Sequence, residues 1–212
     1  MSEKTIDYQI LRDKEAQASV YQWWQRVSRA SEEESGEALP AFSTAVRPAL
    51  HRAQTPDDAL LTEGFRLLWF AVPDPLKTRW YMPAWGCVAA VLAEVREMDQ
   101  QKTFAAAMGS QVEKTGKPHV SELRFQQLQQ SYDLEELQRR LRRTVGLLGK
   151  KVHVLSLADN ILQWHLEKSG HPAMRPDKRL AVRWATDYFT ELAGETKKLP
   201  PQIEEPEKGE QS

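Results

Sequence analysis

The feature that most limits what this chain can fold into is the helical spacing of its apolar residues, which recurs over most of its length. It is clearest at 134–148, where Leu134, Leu137, Leu141, Val145 and Leu148 share one face and Arg139, Arg140, Arg142 and Arg143 spread over the other. Val20, Trp23, Trp24 and Val27 repeat the pattern in a helix predicted over 15–30. Ala181, Trp184, Ala185, Tyr188 and Leu192 repeat it in the last helix, with Arg179 and Arg183 one turn apart on its solvent side. No segment alternates apolar and polar residues between hairpin turn signals, so the expected fold class is all-α.

Local signals divide the pattern. An acidic loop is expected at 31–39 and a short helix at 41–50. Thr55-Pro56-Asp57-Asp58 supplies an N-cap, a proline at the first helical position and two carboxylates against the positive helix end, ahead of an apolar run at 60–72. Pro73, Pro75 and Pro83 predict a connection before another apolar helix at 85–98. Val120 and Ser121 read as staple and cap for a helix holding Leu123, Phe125 and Leu128, and Asp133 with Glu136 reads as a capping box. Ser156 and Asp159 are expected to cap a helix carrying Ile161, Leu162 and Trp164, Asp177 the last helix, and Gly194 to stop it.

Gly109, Gly116 and Pro118 mark a linker at which the charge balance changes. Residues 1–113 carry 12 Lys+Arg against 16 Asp+Glu, residues 114–198 carry 16 against 10, and the tail from 199 carries 1 against 4. Two small helical bundles joined by a short linker are therefore expected, at 1–112 and, more basic, at 113–196. A disordered acidic C-terminal tail follows at 197–212, too poor in apolar residues to pack.

Several classes of function lack support. No stretch reaches the roughly 18 apolar residues of a membrane span, the N-terminus has no secretory pattern, and the single cysteine, Cys87, excludes an internal disulfide; cytoplasmic residence is expected. His51, His119, His153, His165 and His171 have no metal-site spacing. Thr115-Gly116-Lys117 lacks the other parts of a phosphate loop, and Cys87 sits in an apolar helix as a small filler. A non-catalytic chain without metal or cofactor is the expectation.

Seven tryptophans could stack on unpaired bases. Trp164, Trp184, Trp23 and Trp24 fall on apolar stripes and read as core, although one of the adjacent pair Trp23 and Trp24 could serve an interface; Trp80 is a further stacking candidate. An arginine-rich helix face is usually only the solvated side of an amphipathic helix. At 139–143, however, acids compensate only at the N-terminal end, through Glu135 and Glu136, and Lys178, Arg179 and Arg183 add a second basic strip. Such strips would bind phosphates without reading sequence. A helical protein–protein adaptor whose basic strips are mere solvated surface is the alternative.

Several stretches, in order, resemble the CasB family, the small subunit of the type I-E CRISPR complex Cascade. They are Arg26-Val27-Ser28; Leu39-Pro40-Ala41-Phe42 with Pro48; Val120 to Phe125 with Leu128; Leu141-Arg142-Arg143; Leu155 to Trp164; and Trp184 to Phe189. The resemblance implies a two-domain helical protein, paired with a second copy and contacting the backbone and large subunits. It also implies a role in holding the crRNA–target heteroduplex and the displaced DNA strand, which stabilises the R-loop. Arg26, Arg124, Arg142 and Arg143 carry over by motif position, Lys178 and Arg179 by looser alignment, and Arg52 by its closeness to Pro48. Arg142 and Arg143 are both expected to be solvent-exposed.

Overall fold

Apolar spacing becomes helix wherever caps and prolines permit. The computed structural model describes residues 6–28, 41–112 and 115–196; the loop expected at 31–39 and the tail expected from 197 lie outside them. The first helix, α1 (Lys14–Ser28), buries Ala16, Val20, Trp23, Trp24 and Val27. Both adjacent tryptophans are buried within the fold, which leaves neither ring on the surface for an interface. The indole of Trp23 donates to the Gly64 carbonyl at 2.9 Å and that of Trp24 to the Val95 carbonyl at 3.4 Å, so each ring finds an acceptor on a different neighbouring segment.

After α2 (Val46–Arg52) comes α3 (Pro56–Leu60), opened by the reciprocal capping box of Thr55 and Asp58. The apolar run at 60–72 is broken rather than continuous. Leu61 leaves the helix and is exposed, and the Thr62 hydroxyl accepts from the Phe65 N–H at 3.1 Å to start α4 (Glu63–Ala71). The next helix, α5 (Met82–Leu92), begins earlier than the prolines suggested, because Pro83 lies in its first turn, where backbone N–H groups have no helical partner. Every residue from Ala84 to Leu92 is buried, which makes α5 the central rod of the fold.

The chain then leaves the helix instead of continuing it to Met98. A two-residue strand, β1 (Glu97–Met98), pairs in parallel with β2 (Lys151–Val152). Between them lies a helix the periodicity missed, α6 (Phe104–Gly109), whose Phe-Ala-Ala-Ala-Met-Gly run has no polar face. The Gln111–Pro118 bridge closes the following loop. Four helices complete the described chain: α7 (Glu122–Gln129), α8 (Leu134–Leu147), α9 (Val154–Lys168) and α10 (Leu180–Thr196).

Several capping assignments change. His153 caps α9, its Nδ1 accepting from the Ser156 N–H at 3.1 Å. The Ser156 hydroxyl instead accepts from the Phe104 N–H at the start of α6, at 3.1 Å. The fully buried Asp159 carboxylate accepts from the backbone N–H groups of Gln9, Ile10 and Leu11 at 2.7–3.1 Å, tying the N-terminal segment to α9. Asp177 pairs with Arg175 rather than capping α10, whose Leu180 N–H donates to Glu167. Gly194 lies within α10 rather than ending it.

One cluster of buried apolar side chains runs from α1 and α5 to α8, α9 and α10, drawing on residues either side of position 112. Helices α6 and α10 approach closely: a Cβ on Gly109 would sit 2.2 Å from the Tyr188 carbonyl oxygen. Tyr188 stacks on Phe125 at 4.2 Å, and its hydroxyl donates to the Val120 carbonyl at 2.7 Å.

Candidate nucleic-acid interface

The inner face of α8 is the expected one, with Leu137, Leu141 and Val145 buried. At its start the Asp133 carboxylate accepts from the Glu136 N–H at 2.8 Å, while Glu136 reaches back to the Tyr132 N–H at 3.0 Å. Buried Glu136 also pairs with Arg140 at 2.7 Å, and Arg140 donates to the Gln127 carbonyl of α7. Arg140 is therefore committed to the junction of α7 with α8. Arg139, 3.9 Å from Glu136 and with more than half its side chain exposed, and Arg143, also exposed, lie one turn apart.

Arg142 departs from the expectation that it faces solvent. Its side chain is only 15% exposed, because position 142 follows one turn after buried Gln138 and flanks the apolar stripe. The guanidinium donates to the Leu50 carbonyl at 2.7 Å and, at 3.4 Å, to the carbonyls of His51 and Ala90; its Nε lies 3.5 Å from Glu94. Burial lowers its pKa and the Glu94 charge opposes that. Burial also pushes Glu94 up, but the hydrogen bond and charge of His51, with Arg142 and Lys150, outweigh it and leave the carboxyl below its usual value.

Sequence reasoning missed Arg47, which is buried within the same group. Its Nε donates to the Ala93 carbonyl at 2.9 Å and lies 3.2 Å from His51 Nε2, and its Nη2 donates to the Val95 carbonyl at 3.3 Å. Burial brings its pKa down to about 10. The available signal was a cation at a stripe position, between Val46 and Leu50. Together Arg47 and Arg142 answer the carbonyls at the C-terminal ends of α2 and α5, where cations are electrostatically favoured. Gln138 adds hydrogen bonds to the Ala53 and Gln54 carbonyls at 3.3 and 3.0 Å, so residues 50–54 are stitched to α8. Exposed Arg52 is thereby held beside the helix that carries Arg139 and Arg143.

The remaining candidates divide. Arg124 is exposed on α7, which packs on α8. Arg26 lies over the Phe42 ring, 3.9 Å from its centroid, at the end of α1. Lys178 pairs with Asp7, and exposed Arg179 donates to the Ala173 carbonyl at 3.4 Å. Arg183 is not on the solvent side: its side chain is 17% exposed, 3.6 Å from Asp159, and donates to Gln163 and to the Asp7 carbonyl. The fold thus gathers Arg52, Arg124, Arg139 and Arg143 around α8 and places Lys178, Arg179 and Arg183 near the N-terminal segment.

Trp164 and Trp184 are core residues, as their stripes predicted, whereas Trp80 is partly exposed among Tyr81, His165 and His171. Leu123, in the helix that follows Ser121, is exposed, whereas Phe125 and Leu128 are buried. Cys87 is fully buried and its thiol is pushed up to about 12, which leaves it protonated and inert. No helix among the described residues is long and apolar enough to cross a membrane.

No curated protein and no solved structure matches the chain. A protein family does, described as CRISPR-associated protein Cse2, over residues 46–189, from the start of α2 to Phe189 in α10. That span covers more than half of the sequence and includes every basic residue discussed above except Arg26. The chain therefore belongs to the Cse2 family, the CasB small subunits of the type I-E CRISPR Cascade complex.

Proposed function

We propose that this small subunit acts without catalysis, in the cytoplasm, by gripping nucleic-acid backbone within Cascade: the surroundings of the crRNA–target heteroduplex and the displaced DNA strand. The observation that carries the reading is the pair Arg139 and Arg143, one turn apart and exposed, whose one ion-pair partner among the described residues is Glu136, 3.9 Å from Arg139. Arg52 and Arg124, on neighbouring elements, would extend the same surface. Guanidinium groups so arranged suit phosphates and carry no base-specific readout. R-loop formation exchanges one duplex for another of similar stability, so a few backbone contacts suffice to tip it. Arg142 enters as a positioning residue that holds the Arg52 segment against α8.

Contacts with the backbone and large subunits, and with a second copy, belong to the same proposal; exposed Leu61 and Phe70 give the α4 side apolar surface suited to protein contact. The test is the lifetime of a target R-loop on Cascade assembled with Arg139→Glu and Arg143→Glu. A shortened lifetime with normal assembly is expected. An unchanged lifetime rejects strand gripping by α8 and favours a purely scaffolding subunit.

A further inference from the structure

A second basic surface lies away from the α8 arginines. The N-terminal segment, held to α9 by Asp159, borders an open groove of about 1000 Å³ together with the start of α1, the His153 cap of α9 and the 3-10 turn Pro176–Lys178. Arg12, Lys14, Arg175 and Lys178 line it, and among the described residues Asp7 is the one lining carboxylate. Lys178 pairs with Asp7 and Arg175 with Asp177 at 2.8 Å, both at the solvent-exposed rim. Arg12 and Lys14 are exposed and make no ion pair among the described residues. The Asp7 carboxyl is held below its usual value by the hydrogen bond from Lys178, with the charges of Lys178, Arg183 and Arg12 acting in the same direction against its burial, so cations dominate the local field.

We infer that this groove is a second binding site for a single nucleic-acid strand, taken by its phosphodiester backbone through Arg12, Lys14, Arg175 and Lys178. A single strand is the occupant because the cations line a concavity. A groove of about 1000 Å³ takes in a flexible strand, whereas a duplex is too broad to enter it. The remaining lining is rich in neutral hydrogen-bonding groups, Gln9, Gln17 and Gln100, which suit sugar and base edges without selecting sequence. Only Lys178 of these four cations was nominated from the sequence, because the groove joins residues near 10 to residues near 175. The inference rests on the reading that this subunit handles nucleic acid, and extends it to a different face.

The test uses the full-length chain and a labelled twelve-nucleotide oligothymidylate, with binding followed by fluorescence anisotropy at several salt concentrations. Arg12→Glu with Lys14→Glu is expected to weaken binding by about tenfold or more at low salt and to lower the slope of log affinity against log salt by roughly 1.4, about 0.7 for each phosphate no longer neutralised. Unchanged affinity and slope, or no binding by the unaltered chain, overturns the groove. Displacement of the strand by polyglutamate as readily as by unlabelled oligothymidylate also overturns it, as a general anion surface. A twelve-base-pair duplex that binds more tightly and is equally sensitive to the substitutions overturns the choice of a single strand. The α8 reading is judged separately by R-loop lifetime with Arg139 and Arg143 reversed, so either idea can fail while the other stands.

Discussion

Arg142 and Arg143 are neighbours in sequence with opposite fates: the guanidinium of Arg142 is turned inward onto the carbonyl of Leu50 at 2.7 Å, while Arg143 stands on the surface. Reversing the two charges should therefore separate folding from binding. Arg142→Glu leaves the carbonyls of Leu50, His51 and Ala90 without their donor and sets a second carboxylate beside Glu94. The expected loss is about 3–5 kcal/mol, typical of breaking a buried charge pair. Arg143→Glu should stay within about 0.5 kcal/mol of the parent. Urea denaturation of both variants checks this, and equal midpoints would show that Arg142 has no anchoring role.

Stability should also depend on pH near neutrality through His153. Burial lowers its pKa from 6.5, against the charge of Asp99 and a backbone hydrogen bond, and its neutral Nδ1 is the acceptor that caps α9. The folded state thus binds this proton less readily than the unfolded chain. The stabilisation is complete above 6.5 and is lost as pH falls from there through the folded value. His165, also lowered by burial against its bond to the Trp80 carbonyl, contributes in the same window. Glu94 acts separately, below its ordinary 4.5. Thermal unfolding at pH 7.5 and 5.5 should show a lower midpoint in acid. His153→Asn, which keeps an acceptor but does not titrate, should shrink the drop, and a profile parallel to the parent would assign it elsewhere.

The helices were largely legible in the sequence, because the stripes of α1, α8 and α10 and the cap of Thr55 with Asp58 are local signals. The lapses share a physical origin. Ser156 and Asp159 look like caps of their own helix, yet each satisfies the N–H groups of a segment about 50 or 150 residues away. Arg142 and Arg183 look exposed on a helical wheel, yet each lies at the edge of a stripe where a long side chain can reach the unsatisfied carbonyls or carboxylates of another element. Helical period fixes an angle; it does not say what neighbour occupies that direction. The exposure of Arg139 and Arg143 was legible for the converse reason, since they lie farthest from the stripe of α8.

Asp159 should be one of the more costly polar residues to remove. Its Oδ1 accepts from three successive backbone N–H groups, at Gln9, Ile10 and Leu11, and a fourth contact runs from Oδ2 to Gln9. Asp159→Ala strands these donors and removes the anion facing Arg183, a loss on the order of 3 kcal/mol. Asp159→Asn, which retains one carbonyl oxygen, should lose less. Hydrogen exchange offers a local readout: the Ile10 and Leu11 amides should lose protection in Asp159→Ala well before those of α5. Retained protection at both would mean that the segment is held chiefly by Leu11 packing into the core.

Two glycines in helices should respond in opposite directions to the same substitution. In Gly109→Ala the new methyl would start 2.2 Å from the backbone oxygen of Tyr188, and backbone, unlike a side-chain tip, cannot rotate away. α6 and α10 must then separate, disturbing the stack of Tyr188 on Phe125 and the hydroxyl bond to Val120, at an expected cost of about 1–3 kcal/mol. In Gly146→Ala nothing lies within 4 Å of the added carbon, and restricting a flexible residue in a helix should stabilise by roughly 0.5–1 kcal/mol. Paired thermal unfolding curves decide it. If Gly109→Ala is as benign as Gly146→Ala, the approach of α6 to α10 is looser than the geometry requires, and the contact cannot be what fixes the position of α10.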